Sequence, residues 1–454
     1  MIPSSKTFQS LNRFDRIQYA LLAIIVIVSV VSRPRQQLIQ VFDQLRMPIE
    51  FQIVSLSIPD YFVIILVITT SGWLVISDKY RQHFVQTMEM ITTQIYGIIW
   101  VIFAGWLFAS LLWSRDATLP RFTTIHVIIM LYMALIVADF VRRHRANIVL
   151  YPLVAGAIFQ AVLALLQVIN NDPLGLYQFG EIDRFPYDPR NFYRAPGLSS
   201  HSNYLGGYLM VALFALAILI AFRLQTTHLK DRKNFPFYLI GFLIVLAMIG
   251  TLSRSAMLST TIGAVPLVLV AARYVNKKIF FGAFSLFIIA ILVWGLFVLA
   301  GPENIRTRIL SSREFFFDDS WAVIKDAPVF GVGAGNLMLE ISQFTPDEPN
   351  TDILPVHNVY LFLWAEVGII GLAIFVTALL LMLRHLANYQ QITTLVWTSC
   401  LLAIAVAMLF DNYFWAVQPF RVLLFWAIGV WWGVMNQSSN VNNVDTTEAI
   451  PTSA

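Results

Sequence analysis

The chain is poor in charge: of its 454 residues only 12% are Asp, Glu, Lys or Arg, where a soluble domain carries about 25%. With 58% hydrophobic residues and a mean hydropathy of +0.71, that deficit excludes an ordinary water-soluble globule. Cysteine is nearly missing. The single Cys400 allows no disulfide within the chain, says nothing of redox compartment, and lies in an apolar run where it reads as a small packed hydrophobe. No cluster of His, Cys and carboxylates stands at metal-ligand spacing. No small-residue cleavage pattern follows Lys6, Arg13 and Arg16, so the first apolar run reads as a retained span. A formal charge of +4, held mostly in loops, argues against nucleic-acid binding as a main role.

What the chain has instead is a succession of hydrophobic runs long enough to cross a bilayer. In lipid each must be a helix, because an unbonded backbone group finds no water there. The runs predict an all-α polytopic membrane protein with about twelve spans, near 17–32, 58–77, 95–113, 122–140, 148–169, 203–222, 236–251, 257–272, 279–300, 357–382, 393–410 and 420–435. Residues 1–435 then form one integral-membrane domain, and the polar tail 436–454, rich in Asn, Ser and Thr, is expected to be disordered.

Short basic loops give the orientation. Asp78 to Arg81, Arg142-Arg143-His144-Arg145, Arg223 to Lys233, Arg273 to Lys278 and Arg384-His385 fall on one side, which the positive-inside rule makes cytoplasmic together with the termini. The 142–145 cluster reads as a topology anchor near anionic headgroups. Two long segments, 170–202 and 301–356, then share the outer face with the turn around Arg254.

These outer segments hold the candidate chemistry. The first runs through prolines and aromatics, as an ordered lid would, to Arg194-Ala195-Pro196-Gly197 and then His201-Ser202-Asn203. Ser202 and Asn203 can cap the helix that follows, whereas a guanidinium such as Arg194 can grip a phosphate with two donors or snorkel to headgroups. Leu252-Ser253-Arg254 lies in a connection so short that its arginine sits at the membrane boundary, where a charge needs an anion or a wet cavity. The second segment, with Arg306, Arg308 and Arg313 among spaced apolar residues, predicts amphipathic helices along the membrane, ending before Asp326-Ala327-Pro328. Gly331-Val332-Gly333-Ala334-Gly335-Asn336 could offer backbone amides to a phosphate, but no strand precedes it, which rejects a Rossmann or P-loop reading. His357-Asn358 opens the next span with a titratable ring. Glu366 lies about two and a half turns deeper, too far to bond it directly, and serves as a proton relay or a strut between helices. Gly368 and Gly371 permit close approach of a neighbouring helix or lipid chain. Asp411, near the last outer turn, reads as a cap.

Taken in order, the Arg194 and His201 stretches, Leu252-Ser253-Arg254, the 326–336 stretch and His357-Asn358 followed by Gly368-x-x-Gly371 resemble the O-antigen ligase and polymerase superfamily of polytopic glycosyltransferases. The resemblance covers about 195–375. It implies a donor glycan on undecaprenyl pyrophosphate, His357 as general base on the acceptor hydroxyl, Arg194 and Arg254 holding the pyrophosphate, and Arg313 as a third arginine. It also implies substrate binding by His201, Asn203 and Asn358. No cofactor is called for: guanidinium groups can neutralise the leaving pyrophosphate in place of a metal. The acceptor is lipid A core in a ligase and a carrier-linked repeat in an O-antigen or exopolysaccharide polymerase. The expected place is the bacterial cytoplasmic membrane, with the site on its outer, periplasmic face. Rival readings are a transporter of lipid-linked oligosaccharide, which would carry mid-membrane charges and an inverted repeat, and a non-catalytic assembly scaffold.

Overall fold

The structure, a computed structural model, describes residues 11–31, 35–40, 53–144, 146–183, 193–224, 227, 231–271, 317–344, 355–387 and 391–444. Arg313, the span expected at 279–300, the helices expected over 303–314 and the end of the tail lie outside the described residues.

Helices dominate. They are α1 (Arg13–Val28), α2 (Ile58–Ile76), α3 (Asp78–Thr92), α4 (Ile95–Ala109), α5 (Thr118–His144), α6 (Ala146–Asn170), α7 (Ser202–Leu224), α8 (Phe235–Gly250), α9 (Arg254–Ala271), α10 (317–326), α11 (Leu337–Phe344), α12 (Val359–Leu383), α13 (Ile392–Phe410), α14 (Tyr413–Ala416) and α15 (Gln418–Val444). Eight helices among the described residues are long and apolar enough to cross a membrane: α2, α4, α5, α6, α7, α8, α12 and α13, some with a short extension. Helices α1, α9 and α15 occupy three further stretches where spans are expected.

Two elements depart from the sequence reading. An antiparallel hairpin, β1 (Arg35–Gln40) and β2 (Ile53–Ser57), fills part of what reads as a loop between the first two spans. At the other end of α2 the expected short basic loop is a whole helix, α3, which turns Tyr80, Phe84, Thr87 and Ile91 inward and leaves Lys79 and Arg81 exposed. That spacing is one helical face, overlooked because the helix is too polar to cross lipid.

The core is organised along α5 and α15, which pack side by side. Small residues bring the backbones together: a Cβ on Gly429 would stand 2.5 Å from the Ala134 carbonyl oxygen. Trp100, Trp397, Trp415, Trp426 and Trp431 are fully buried around this pair.

The 142–145 cluster is not simply a set of arginines facing headgroups. Arg143, only 15% exposed, bonds Asp15 of α1 and pairs with Asp139 at 2.9 Å and the Gln18 amide oxygen at 3.0 Å. Arg142 donates to the Thr87 hydroxyl of α3 at 2.7 Å. Arg143 therefore joins α1 to α5 from the inside. Removing one member of a buried ion pair strands its partner, so Arg143→Ala should cost about 3–5 kcal/mol, read as a lower thermal midpoint of the purified protein. A midpoint unchanged from wild type would contradict this role.

Candidate active site

Helix α12 carries His357 just ahead of its first turn, and it is broken. Gly368 has φ 69 and ψ 178 within it, a conformation open to glycine and costly for other residues. A break in an apolar setting strands carbonyl and amide groups that lipid cannot satisfy. Here the partners are supplied. The carbonyl oxygens of Ala365, Glu366 and Val367 accept from Val332 N at 3.0 Å, Gly333 N at 2.8 Å and Trp106 Nε1 at 2.9 Å, and Ile369 N donates to Pro328 O at 3.0 Å.

Two of those donors come from the glycine-rich turn, where Gly331, Gly333 and Gly335 have φ of 73°, 101° and 97°. Its remaining bonds also stay within the chain: Gly331 N to Ala327 O, Asn336 N to Gly333 O, and the amides of Gly335 and Leu337 to the Glu366 carboxylate. The turn that the sequence offers to a phosphate is thus occupied in closing the break in α12. Glu366 is the strut, buried at 1% exposure and also receiving Trp415 Nε1 at 3.4 Å.

A second group of side chains gathers where α7, α9 and α12 begin and α8 and α13 end. Ala195 N bonds Gly250 O at 3.2 Å, which ties the segment before α7 to the end of α8. Arg194 then reaches Thr251 O with Nε at 3.2 Å and the Asn203 amide oxygen with an NH2 at 2.8 Å. The Asn203 amide is turned by its other end, whose nitrogen donates to Asp411 Oδ2 at 2.7 Å. Asp411 is buried at the C-terminal end of α13, so its charge orients Asn203 and, through it, Arg194. Ser202 helps by bonding Arg194 O at 3.0 Å. Arg254, partly buried, opens α9 three residues after Thr251, and a Cβ on Gly206 would stand 2.8 Å from that of Ser253, so the Arg254 turn rests on the first turns of α7.

His201 caps α7 with its ring: Nδ1 accepts from Asn203 N at 3.0 Å. Burial, and then the charges of Arg194 and His357 close by, push it down to about 3. The ring therefore stays neutral between pH 5 and 8, the range in which histidines commonly titrate, and with Nδ1 accepting, its proton lies on Nε2.

The chain on either side of His357 is held by α13 and its following turn. Asn412 Nδ2 donates to Val356 O at 3.0 Å, and Asn358 Nδ2 donates to Leu409 O at 3.0 Å. The Asn358 oxygen caps α12, accepting from Tyr360 N at 2.9 Å and Leu361 N at 3.0 Å. Its side chain is thus committed to cap and tether.

The structure brings Arg194, His201, Asn203, Asn358, His357 and the Arg254 turn to one end of the bundle. Asp411 joins them as more than a cap. The sequence did not single out a further buried cluster: His126 Nε2 lies 2.9 Å from Asp60 Oδ1 and its Nδ1 3.4 Å from an Arg421 NH, while Arg421 bonds Trp415 O through Nε at 2.8 Å and NH2 at 2.6 Å. Each is a polar residue inside an apolar run, which is the signal that could have found it.

Residues 239–376 match the family model described as O-antigen ligase. That segment, which holds Arg254, the glycine turn, His357 and both Gly368 and Gly371, belongs to the O-antigen ligase superfamily. No curated protein matches the chain.

Proposed function

We propose that the protein is a membrane glycosyltransferase of O-antigen ligase type, moving a glycan from undecaprenyl pyrophosphate to a hydroxyl of lipid A core on the outer face of the bacterial cytoplasmic membrane. The observation that carries this reading is the placement of Arg194, held through Asn203 by Asp411 and by Thr251 O, at the same end of the bundle as His357 and the Arg254 turn.

In this reading Arg194 and Arg254, with Arg313 as a third, neutralise the pyrophosphate. The bond between the anomeric carbon and the phosphate oxygen breaks, its electron pair leaving with the pyrophosphate. The acceptor oxygen bonds the anomeric carbon from the opposite face and gives its proton to His357, so configuration inverts. His201 offers an Nε2–H donor and Asn203 sets the arginine. The phosphate needs stabilisation as charge develops on it, which fixed guanidinium groups provide without reorganising. His357 carries an imidazole, the side chain most often used as a general base.

Asn203→Leu keeps the side chain's shape and removes both of its bonds. A hydrogen bond to a charged group contributes about 1.5–3 kcal/mol, so the donor KM should rise about 10- to 100-fold, with a wild-type value contradicting the role given to Asn203. The function itself is tested by reconstituting the purified protein with undecaprenyl pyrophosphate glycan and offering lipid A core and a second carrier-linked repeat separately, without added metal. Product on lipid A core is expected. Lengthened carrier-linked glycan alone would make it a polymerase, and donor movement across the bilayer with neither product would make it a transporter.

A further inference from the structure

Asn412 is the N-cap residue of α14, where an asparagine ordinarily turns its side chain back to cap the helix. Here it does not cap. Its backbone carbonyl serves α14 by accepting from Trp415 N at 3.0 Å and Ala416 N at 2.9 Å, and its backbone N bonds Asp411 Oδ1 at 2.9 Å. The side chain, 5% exposed, instead crosses to the segment just before α12 and donates to Val356 O, the carbonyl next to His357. Asn358 makes the reverse bond, from the residue after His357 to Leu409 O. The two amides run in opposite directions between the same two strands of backbone, one on each side of the histidine.

We propose that Asn412 is a positioning residue that fixes the backbone under His357 and so sets where its imidazole meets the acceptor hydroxyl. The inference rests on the reading of His357 as general base. One bond alone would leave the chain free to pivot about the other, and with both made His357 has a defined origin. Displacement of a catalytic group by about 1 Å lowers rate about 100-fold, and the donor-binding arginines make no bond to Asn412 among those described, so the loss falls on kcat.

The test compares Asn412→Asp, isosteric but unable to donate, with Asn412→Leu, neutral and of similar shape, and Asn412→Gln, which keeps a donor. Each is measured in the reconstituted full chain with undecaprenyl pyrophosphate glycan and the acceptor that the wild type uses, alongside thermal midpoint and a His357→Ala control. Expected are a kcat lowered about 100-fold in the Asp and Leu variants, a donor KM within about twofold of wild type, and partial recovery in the Gln variant. If the Asp and Leu variants keep wild-type kcat while His357→Ala is inactive, the inference is overturned and the parent reading stands. A kcat loss matched by an equal rise in donor KM and a collapsed midpoint marks a merely structural tether and also overturns it. Wild-type transfer by His357→Ala overturns the parent reading and this one with it.

Discussion

Replacing His357 with alanine should lower kcat by about 100- to 10,000-fold while the protein still folds and still binds lipid-linked donor. The expectation follows from the site's division of labour. Arg194 is held by Thr251 and by the Asn203–Asp411 chain. On the proposed reading, loss of the ring would remove the proton acceptor and leave the arginine that grips the phosphate in place. His201 cannot substitute, since its Nδ1 is engaged by Asn203 N and burial, then the neighbouring Arg194 and His357, push its pKa down to about 3. For the same reason any acidic limb of the rate profile between pH 5 and 8 belongs to a group other than His201. The check is steady-state transfer with donor binding measured separately. Retained transfer would remove His357 from the mechanism.

The largest expected loss of stability comes from a single methyl group. A Cβ on Gly368 would lie 2.0 Å from the Val329 carbonyl oxygen, and one on Gly331 would lie 2.4 Å from both the carbon and the oxygen of the Glu366 carbonyl. These are backbone atoms that cannot swing aside, and both glycines have positive φ. Overpacking of about 1–3 kcal/mol and backbone strain of about 1–3 kcal/mol add for each substitution. Gly368→Ala and Gly331→Ala should each lower the thermal midpoint steeply or prevent accumulation of folded protein. Gly105→Ala is the control: a Cβ there meets nothing within 4 Å, and alanine favours a helix by about 1 kcal/mol. Equal midpoints for all three variants would contradict the account of the break.

Why the sequence conveyed some of this and not the rest is visible at these residues. The spacing from His357 to Gly368 and Gly371 carried the family resemblance, and the structure explains the two glycines differently. Gly371 makes room for Trp106, whose Nε1 would be 2.7 Å from an added Cβ, as the close-approach reading expects. Gly368 breaks the helix, and that needed knowledge of the turn at 331–336, whose amides fill the break. A glycine-rich turn looks the same in sequence whether its amides meet a phosphate or a carbonyl.

Most spans were legible because lipid demands long apolar runs. Helix α3 was not, since its inward face alternates with Lys79, Arg81 and Glu89, and the hairpin was not, since its strands are short. The buried cluster is the hardest case. Asp60, His126 and Arg421 come from three helices far apart in the chain; Asp60 has a local partner in the cap of Ser57, and only packing joins it to His126 and Arg421. Asp411 has the same difficulty: a cap when read alone, it becomes the anchor of Arg194 once α7 and α13 are side by side.

The central claim is that this chain makes a glycosidic bond directly from a lipid pyrophosphate. It is tested most directly by incubating the reconstituted protein with labelled undecaprenyl pyrophosphate glycan and lipid A core in the presence of a metal chelator, then determining the lipid product and the anomeric configuration of the new bond. The account predicts glycan joined to lipid A core with inverted configuration, free undecaprenyl pyrophosphate in equal amount, and no effect of the chelator. Retained configuration, or unreacted donor merely moved to the opposite leaflet, would contradict it.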